Sequence, residues 1–260
     1  MAPSDYPSRF RAAGYLLGLS LGGFFDGILL HQILQWHHLL AGLQGEGWQD
    51  LRLQILADGL FHALMYVAAA IGLVLLWRAR DDLQGERADR VLAGHVLLGF
   101  GLWHVADTVL SHWVTGIHRV RMDSPNPLMW DLIWFFAFGI IPLAAGWVMR
   151  RSATVTGIAH GPIAGILLAI AVSGAGALSA LPPPDLSQSV VYFPPGTTPE
   201  QVFAAAAKVD ARIVWVDPSG ELWVFDFADV SRAKSLYRHG ALFVGNSLLP
   251  VGCISRSRAS

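Results

Sequence analysis

Five apolar segments, each long enough to cross a lipid bilayer, constrain the fold of this chain more than any other feature. They lie at residues 14–40, 51–77, 91–117, 127–149 and 157–181, and a membrane-spanning helix needs about 20 mostly apolar residues. Only 14% of the chain is charged, whereas a soluble domain carries about a quarter charged residues. Short connecting segments make consecutive helices antiparallel neighbours. The sequence therefore predicts an all-α polytopic membrane bundle over residues 10–181, with five transmembrane helices and a four-helix core.

The arginines predict which way these helices cross the membrane. If the N-terminus is cytoplasmic, the inner side carries eight arginines and the outer side three, which fits the excess of positive charge on the cytoplasmic side of membrane proteins. The inner set is Arg9, Arg11, Arg78, Arg80, Arg87, Arg90, Arg150 and Arg151, and the outer set is Arg52, Arg119 and Arg121. We expect a bacterial inner-membrane protein with its N-terminus in the cytoplasm and its C-terminal part in the periplasm.

Residues 187–252 form a separate module that follows a proline-rich break at residues 182–184. The pattern predicts strands at 189–193, 212–216, 222–227 and 241–247, with helices at 198–209 and 229–239. This βαββαβ order is that of the ferredoxin-like α+β fold. Because that fold supports many functions, we expect a docking, sensing or capping module that is open to a periplasmic protein partner.

Charge and cysteine content exclude two classes of function. The formal net charge is -1 and no basic run exceeds two residues, so nothing indicates nucleic-acid binding. The single cysteine, Cys253, rules out an internal disulfide framework and a metal site with several cysteine ligands. The partner that the composition predicts is the lipid bilayer.

Ionisable residues within the apolar segments are the most informative feature for function. Residues 23–38 contain Asp26, His31, His37 and His38, and such groups are costly in a membrane unless they have a partner or a role. If this stretch is helical throughout, His31 and His38 share one face, and Asp26 and His37 share another.

The second and third apolar segments carry similar groups. Asp58 and His62 are four residues apart, and His104 and Asp107 are three apart, so each pair lies on one helix face. In the predicted orientation these groups occupy the outer halves of their helices, whereas His95 lies near an inner end. The distribution predicts one shared polar centre near the periplasmic face.

A transition-metal site accounts best for this centre. Imidazole and carboxylate ligands suit zinc, non-haem iron, manganese or copper(II). The predicted ligands are His31, His38, His62, His104, Asp107 and His112. Asp26 and Asp58 are predicted catalytic carboxylates or partners of the ligating imidazoles. There are more candidates than one ion needs, so two ions are also compatible with the sequence.

Haem and a metal-free polar network are also compatible with these residues. Haem could be held between histidines of different helices, for example His62 and His104. In a metal-free network, aspartate and histidine would pair with one another. We interpret at least one of His37 and His38 as interfacial, and Asp131 as a charge at a helix N-terminus.

Four motifs that carry these residues resemble a family of bacterial membrane proteins. The motifs are Phe25-Asp-Gly-Ile-Leu-Leu-His-Gln-Ile-Leu-Gln-Trp-His-His38, Asp58-Gly-Leu-Phe-His62, Trp103-His-Val-Ala-Asp107 and Asn126-Pro-Leu-Met-Trp-Asp131. Over about residues 10–150, the chain is similar to the family called domain of unknown function 2243. The resemblance implies a four-helix membrane core and brings no activity with it. It does not extend to the fifth helix or the C-terminal module.

These observations lead to an expected function and an alternative. We expect an integral membrane metalloprotein; as an enzyme, it would use a metal-activated water or oxygen species on a lipophilic substrate, with an aspartate as base. The alternative is a protein that handles metal, such as copper, or assists respiratory oxidase assembly. Met65, Met122 and Met129 are the residues that a copper site would add.

Overall fold

The computed structural model describes residues 6–34, 36–45, 47–48, 51–85, 87–151, 163–179 and 187–245. The chain divides into two compact units, Met1–Ser179 and Ala180–Ser260. The proline-rich break, Cys253 and the end of the last predicted strand lie outside the described residues.

The described part of the first unit is helical. Its α-helices are α1 (Ser8–Asp26), α2 (Leu51–Arg78), α3 (Ala88–Asp107), α4 (Pro127–Trp134), α5 (Ile141–Arg151) and α6 (Ile163–Ser179). Helices α1 and α3 continue directly into the π-helical segments Gly27–Ile33 and Thr108–Val114, and a third π-helical segment, Phe135–Ile140, joins α4 to α5. A short 3₁₀ turn, Arg80–Gln84, follows α2. Because π-helical turns are rare and often occur at functional sites, the residues around these junctions are candidates for a functional site.

Three helical runs in the described residues have the length and composition of membrane spans. They are Ser8–His31, Leu56–Arg78 and Pro127–Arg150, with mean hydropathies of 1.5, 2.1 and 2.0. They coincide with the first, second and fourth predicted spans. Crossing by α3 and α6 stays a prediction; α6 is apolar but only 17 residues long.

The first helical run ends earlier than the sequence predicts. The π-helical segment stops at Ile33, and residues 36–38 have no helical structure. The expectation that His37 and His38 lie on helix faces is therefore wrong. They lie in the loop that follows, where the chain leaves the helix and no longer obeys a helical period.

Close helix packing holds the first unit together. A Cβ atom on Gly18 would collide with the backbone of Val96, and one on Gly99 would collide with the backbone of Tyr15. Glycine at these two positions therefore lets the backbones of α1 and α3 touch. Helix α1 packs on α2 through the fully buried side chains of Leu17, Phe24 and Met65, among others.

The outer surface of α2 suits a lipid environment. Leu60, Leu64, Val67 and Ile71 recur every three or four residues and are 47–62% exposed. An apolar stripe of this kind is stable when hydrocarbon chains cover it. The exposed stripe agrees with the assignment of Leu56–Arg78 as a membrane span.

The second unit is a small antiparallel sheet with helices. It contains β1 (Gln188–Tyr192), α7 (Pro199–Lys208), β2 (Ala211–Val216), β3 (Leu222–Phe227), the 3₁₀ helix Val230–His239, and β4 (Phe243–Gly245). The strand order is β2-β3-β1-β4, and all three pairings are antiparallel. Val191, Phe225 and Leu236 are fully buried in its core. The Asp217 carboxylate accepts bonds from the backbone N–H groups of Ser219 and Leu222, which fixes the β2–β3 turn.

Candidate metal centre

The first group of candidate ligands forms at the end of α1. Asp26 is the last residue of α1, His31 lies on the π-helical segment, and His37 lies in the following loop. One ligand atom from each residue lies within 4.8 Å of the others, and all three residues are at most 3% exposed. The Nε2 atoms of His31 and His37 are 3.2 Å apart. We call these three residues the first triad.

A second group forms at the end of α3. Asp107 is the last residue of α3, His112 lies on its π-helical segment, and His118 follows in the loop. Their ligand atoms also lie within 4.8 Å of one another, and all three residues are buried. The Asp107 carboxylate oxygens lie 3.2 Å from Nε2 of His112 and 3.5 Å from Nε2 of His118. We call these residues the second triad.

Backbone carbonyls determine which nitrogen of two rings carries the proton. His37 donates through Nδ1 to the Val120 carbonyl at 3.0 Å, and His118 donates through Nδ1 to the Leu39 carbonyl at 2.8 Å. A carbonyl can only accept, so in each neutral ring the Nε2 atom is left with a lone pair. Burial, together with the nearby rings of His118 and His31, holds the pKa of His37 well below its usual range. His37 is therefore neutral at neutral pH.

These tautomers place electron-pair acceptors opposite one another. The lone pair of His118 Nε2 faces the carboxylate of Asp107, which is also an acceptor. The lone pair of His37 Nε2 faces Nε2 of His31 at 3.2 Å, where it accepts a hydrogen bond when that nitrogen of His31 carries a proton. Within the described residues, Asp26 Oδ1 and His118 Nε2 are buried without a hydrogen-bond partner, whereas the two ring nitrogens of His112 face the carboxylates of Asp107 and Asp131 at 3.2 and 3.1 Å. Buried acceptors left unpaired are costly. A cation that accepts lone pairs from several sides would satisfy them together.

The spacing of the two Nε2 atoms in the first triad fits a shared ion. Imidazole nitrogens bind zinc at about 2.0–2.1 Å, and a tetrahedral angle between them gives a separation of about 3.3 Å. The His31–His37 separation is 3.2 Å. This distance suits two ligands of one metal ion, and it equally suits a hydrogen bond between the two rings.

A carboxylate lies behind a histidine of each triad. Asp58 lies 3.5 Å from Nδ1 of His31, and Asp131 lies 3.1 Å from Nδ1 of His112. Asp58 also accepts from the Leu39 N–H at 2.9 Å. A carboxylate behind a ligating imidazole fixes the ring orientation and increases its basicity. Asp58 and Asp131 are placed to do this for the first and second triads.

The structure divides the predicted site residues into three sets. His31, Asp107 and His112 lie in the triads, together with Asp26, which we expected as a catalytic carboxylate. His38 lies outside them and makes a 3.1 Å contact through Nδ1 with Asp58.

His62 and His104 form the third set. Each donates through Nδ1 to the carbonyl four residues earlier, that of Asp58 or Phe100, at 2.8 Å. Their Nε2 atoms are buried and have no hydrogen-bond partner among the described residues. Neither histidine belongs to a triad. The Nε2 atom of His62 lies against Gly27, because a Cβ atom added to Gly27 would be 2.5 Å from this nitrogen.

Sequence reasoning missed His37 and His118 as members of the triads and Asp131 as the partner of His112. A signal was present. The spacing Asp-x₄-His-x₅-His occurs at residues 26–37 and again at residues 107–118. Recognising this repeated spacing would have selected both triads without any assumption about helix faces.

The fold and the buried triads define the class of this molecule: a helical membrane protein with histidine and aspartate clustered at the ends of two packed helices. The chain belongs to the family described as "Predicted membrane protein (DUF2243)", whose model matches residues 13–153. The family resemblance seen in the four motifs is thus confirmed. The matched region contains both triads and ends before α6. No curated protein and no solved structure matches the chain.

Proposed function

We propose that this protein is an integral membrane metalloprotein whose two triads form a His/Asp transition-metal centre. The observation that carries the proposal is the convergence of lone pairs. Backbone carbonyls hold the Nδ1–H groups of His37 and His118, so both Nε2 atoms present lone pairs within the buried triads, and that of His118 faces the Asp107 carboxylate without a hydrogen-bond partner among the described residues. A metal ion satisfies all of these atoms at once, whereas a metal-free network needs extra protons to do so.

The ligand chemistry favours some metals over others. Each triad offers two imidazoles and one carboxylate, a set used by non-haem iron and, with glutamate, by catalytic zinc. Thioether support for copper is weak, because Met65 packs against Gly23 in the core and Met122 and Met129 are partly exposed. Zinc, non-haem iron and manganese are therefore the metals we expect first.

Three protein ligands leave coordination positions open, which is the condition for catalysis. If the protein is an enzyme, the metal supplies activation of water or oxygen, and the lipid-facing helices indicate a lipophilic substrate. The alternative is a metal-handling or respiratory oxidase assembly protein. The burial of all six triad residues favours an ion that stays in place over one that exchanges quickly.

We place the centre near the periplasmic face of a bacterial inner membrane. The start of α1 and the turn after α2 lie at one end of the bundle, since Arg9 lies 3.3 Å from Asp82. That end carries Arg9, Arg11, Arg78 and Arg80, and the triads lie beyond the other ends of α1 and α3. The positive-inside rule then makes the arginine-rich end cytoplasmic.

We further propose that the C-terminal unit is a ferredoxin-like module in the periplasm. Its antiparallel order β2-β3-β1-β4, with α7 between β1 and β2, supports this fold. Since the fold does not determine function, a docking or sensing role towards a periplasmic protein remains our expectation.

Metal analysis of the purified protein tests the proposal. The wild type in detergent is compared with the double variant His31→Gln/His112→Gln by elemental analysis and optical spectroscopy. The control is His95→Gln, because His95 is equally buried and donates to the Val91 carbonyl at 2.6 Å but lies outside the triads.

We expect bound transition metal in the wild type and the control, and its loss in the double variant. Metal-free wild type after reloading would overturn the proposal in favour of a polar network. A Soret band would overturn it in favour of haem between histidines such as His62 and His104.

A further inference from the structure

The two triads belong to two copies of one structural unit within the chain. Asp26, His31 and His37 correspond to Asp107, His112 and His118 at a constant offset of 81 residues. In both copies an α-helix ends at the aspartate and a seven-residue π-helical segment follows. The repeated spacing and the change from α-helix to π-helix occur at the same positions, so the two copies correspond in structure as well as in sequence.

Hydrogen bonds around the triads also repeat: their loop residues keep the offset of 81, whereas the accepting carboxylates of Asp58 and Asp131 are 73 residues apart. The Leu39 N–H donates to Asp58 at 2.9 Å, and the Val120 N–H donates to Asp131 at 3.0 Å. The loops also exchange bonds: His37 donates to the carbonyl of Val120, and His118 donates to the carbonyl of Leu39. Each loop therefore supports the triad of the other copy in the same way.

Helix packing shows the same relationship. Gly18 of α1 meets Val96 of α3, and Gly99 of α3 meets Tyr15 of α1, which are corresponding pairs at the same offset. The rings of His37 and His118 stack with centroids 4.5 Å apart and planes 5° from parallel. Reciprocal contacts of this kind arise when two copies are related by an approximate two-fold axis.

We propose that the protein binds two transition-metal ions, one in each triad, and that the first triad binds its ion more tightly. This inference rests on the proposed function. Each triad has its own aspartate, its own two histidines and its own supporting carboxylate. The two-fold relationship supplies a complete ligand set twice, so a single ion would leave one equivalent set empty.

The two copies differ in the charge behind the metal. Asp131 lies 2.7 Å from the guanidinium of Arg119, whereas Asp58 lies 3.1 Å from the His38 imidazole at the corresponding position. Arginine keeps its positive charge, while an imidazole can make the same contact without a permanent charge. The second triad therefore has one more positive charge nearby. Arg119 is 36% exposed, so solvent screens part of its charge. The remaining repulsion weakens cation binding, and we expect a difference of about ten-fold between the two dissociation constants.

Cobalt(II) titration of the metal-free, full-length protein in detergent tests this inference, with elemental analysis of the loaded protein giving the stoichiometry. We expect two ions per chain. His31→Gln and His112→Gln should each retain one ion, and His31→Gln should retain the weaker of the two. Thermal unfolding and the His95→Gln control identify variants that lose metal through misfolding.

Exchange of the two differing residues tests the affinity order. Arg119→His should lower the dissociation constant of the weaker metal site about ten-fold. His38→Arg should raise the dissociation constant of the tighter site by a similar factor. Arg121→His is the matched control, because Arg121 pairs with the exposed Asp123 at 2.8 Å and should leave both dissociation constants unchanged.

The outcomes separate the inference from the proposed function. One ion per chain, lost in either single variant, would overturn the two-site inference and leave the metalloprotein proposal standing. Two ions whose affinities do not respond to Arg119→His or His38→Arg would overturn the order of binding. Wild-type protein that takes up no ion would overturn both.

Discussion

At the scale of single residues, the protonation pattern of the histidines decides what the centre can do. The rings of His37 and His118 donate to carbonyls on the opposite loop, 83 and 79 residues away in sequence. Spacing along a helix cannot reveal such contacts, which is why the sequence led us to interpret at least one of His37 and His38 as interfacial. His31, Asp107 and His112 lie on or beside the helices and are buried, His31 in the first triad and the other two in the second; their role as ligands stays a prediction.

Asp58 provides a residue-scale prediction. Asp58→Asn keeps the size of the side chain but removes the negative charge behind His31. Loss of such a partner typically reduces metal affinity 10–100-fold, so we expect about that loss in the first triad with the fold retained. Competition with a chromophoric chelator measures it.

Asp123→Asn is the control for this experiment, since Asp123 is an exposed carboxylate that pairs with Arg121. An unchanged affinity in Asp58→Asn would show that the carboxylate does not act through His31.

At the scale of helices and strands, the sequence predicts the elements better than their ends. Helices occur at all five apolar segments, and the strands of the second unit fall close to the predicted ranges. The π-helical segments were not predicted, because they depend on how α1 and α3 meet the loops beyond them. The helix at Val230–His239 is 3₁₀ in form, a distinction that the residue pattern does not make.

The crossing of α1 and α3 yields a prediction at this scale. In Gly99→Ala the new methyl group meets the backbone of Tyr15 and Leu19, and overpacking of this kind costs roughly 1–3 kcal/mol. We therefore expect a lower unfolding temperature, measured by circular dichroism in detergent.

Gly59→Ala is the matched control, because a Cβ atom there meets nothing within 4 Å. Alanine is also the better helix former, by about 0.5–1 kcal/mol, so this variant should unfold at the same or a higher temperature. Equal destabilisation by both substitutions would contradict the close crossing.

At the scale of the whole molecule, the chain has a membrane unit that carries the triad motif twice and a separate C-terminal unit. Composition and apolar length were enough to predict a membrane protein, and the family match over residues 13–153 agrees. The duplication is visible in the sequence as a repeated Asp-x₄-His-x₅-His spacing. The difference between His38 and Arg119 acquires meaning only when the structure places both beside equivalent carboxylates.

Membrane orientation gives a whole-molecule prediction. In a Cys253→Ser background, Asp123→Cys should react with a membrane-impermeant maleimide in intact cells with a permeable outer membrane, because the loop before α4 is expected in the periplasm. Gln84→Cys, in the exposed turn after α2, should react only after cell lysis. The reverse pattern would place the triads near the cytoplasmic face.

The identity of the atoms around the metal tests the central claim most directly, and X-ray absorption of the metal-loaded wild type measures it. We predict a shell of nitrogen and oxygen at about 2.0–2.2 Å with outer-shell scattering from imidazole rings, as His and Asp ligands require. A sulfur shell at about 2.3 Å, or a shell without imidazole scattering, would contradict a centre built from the two triads.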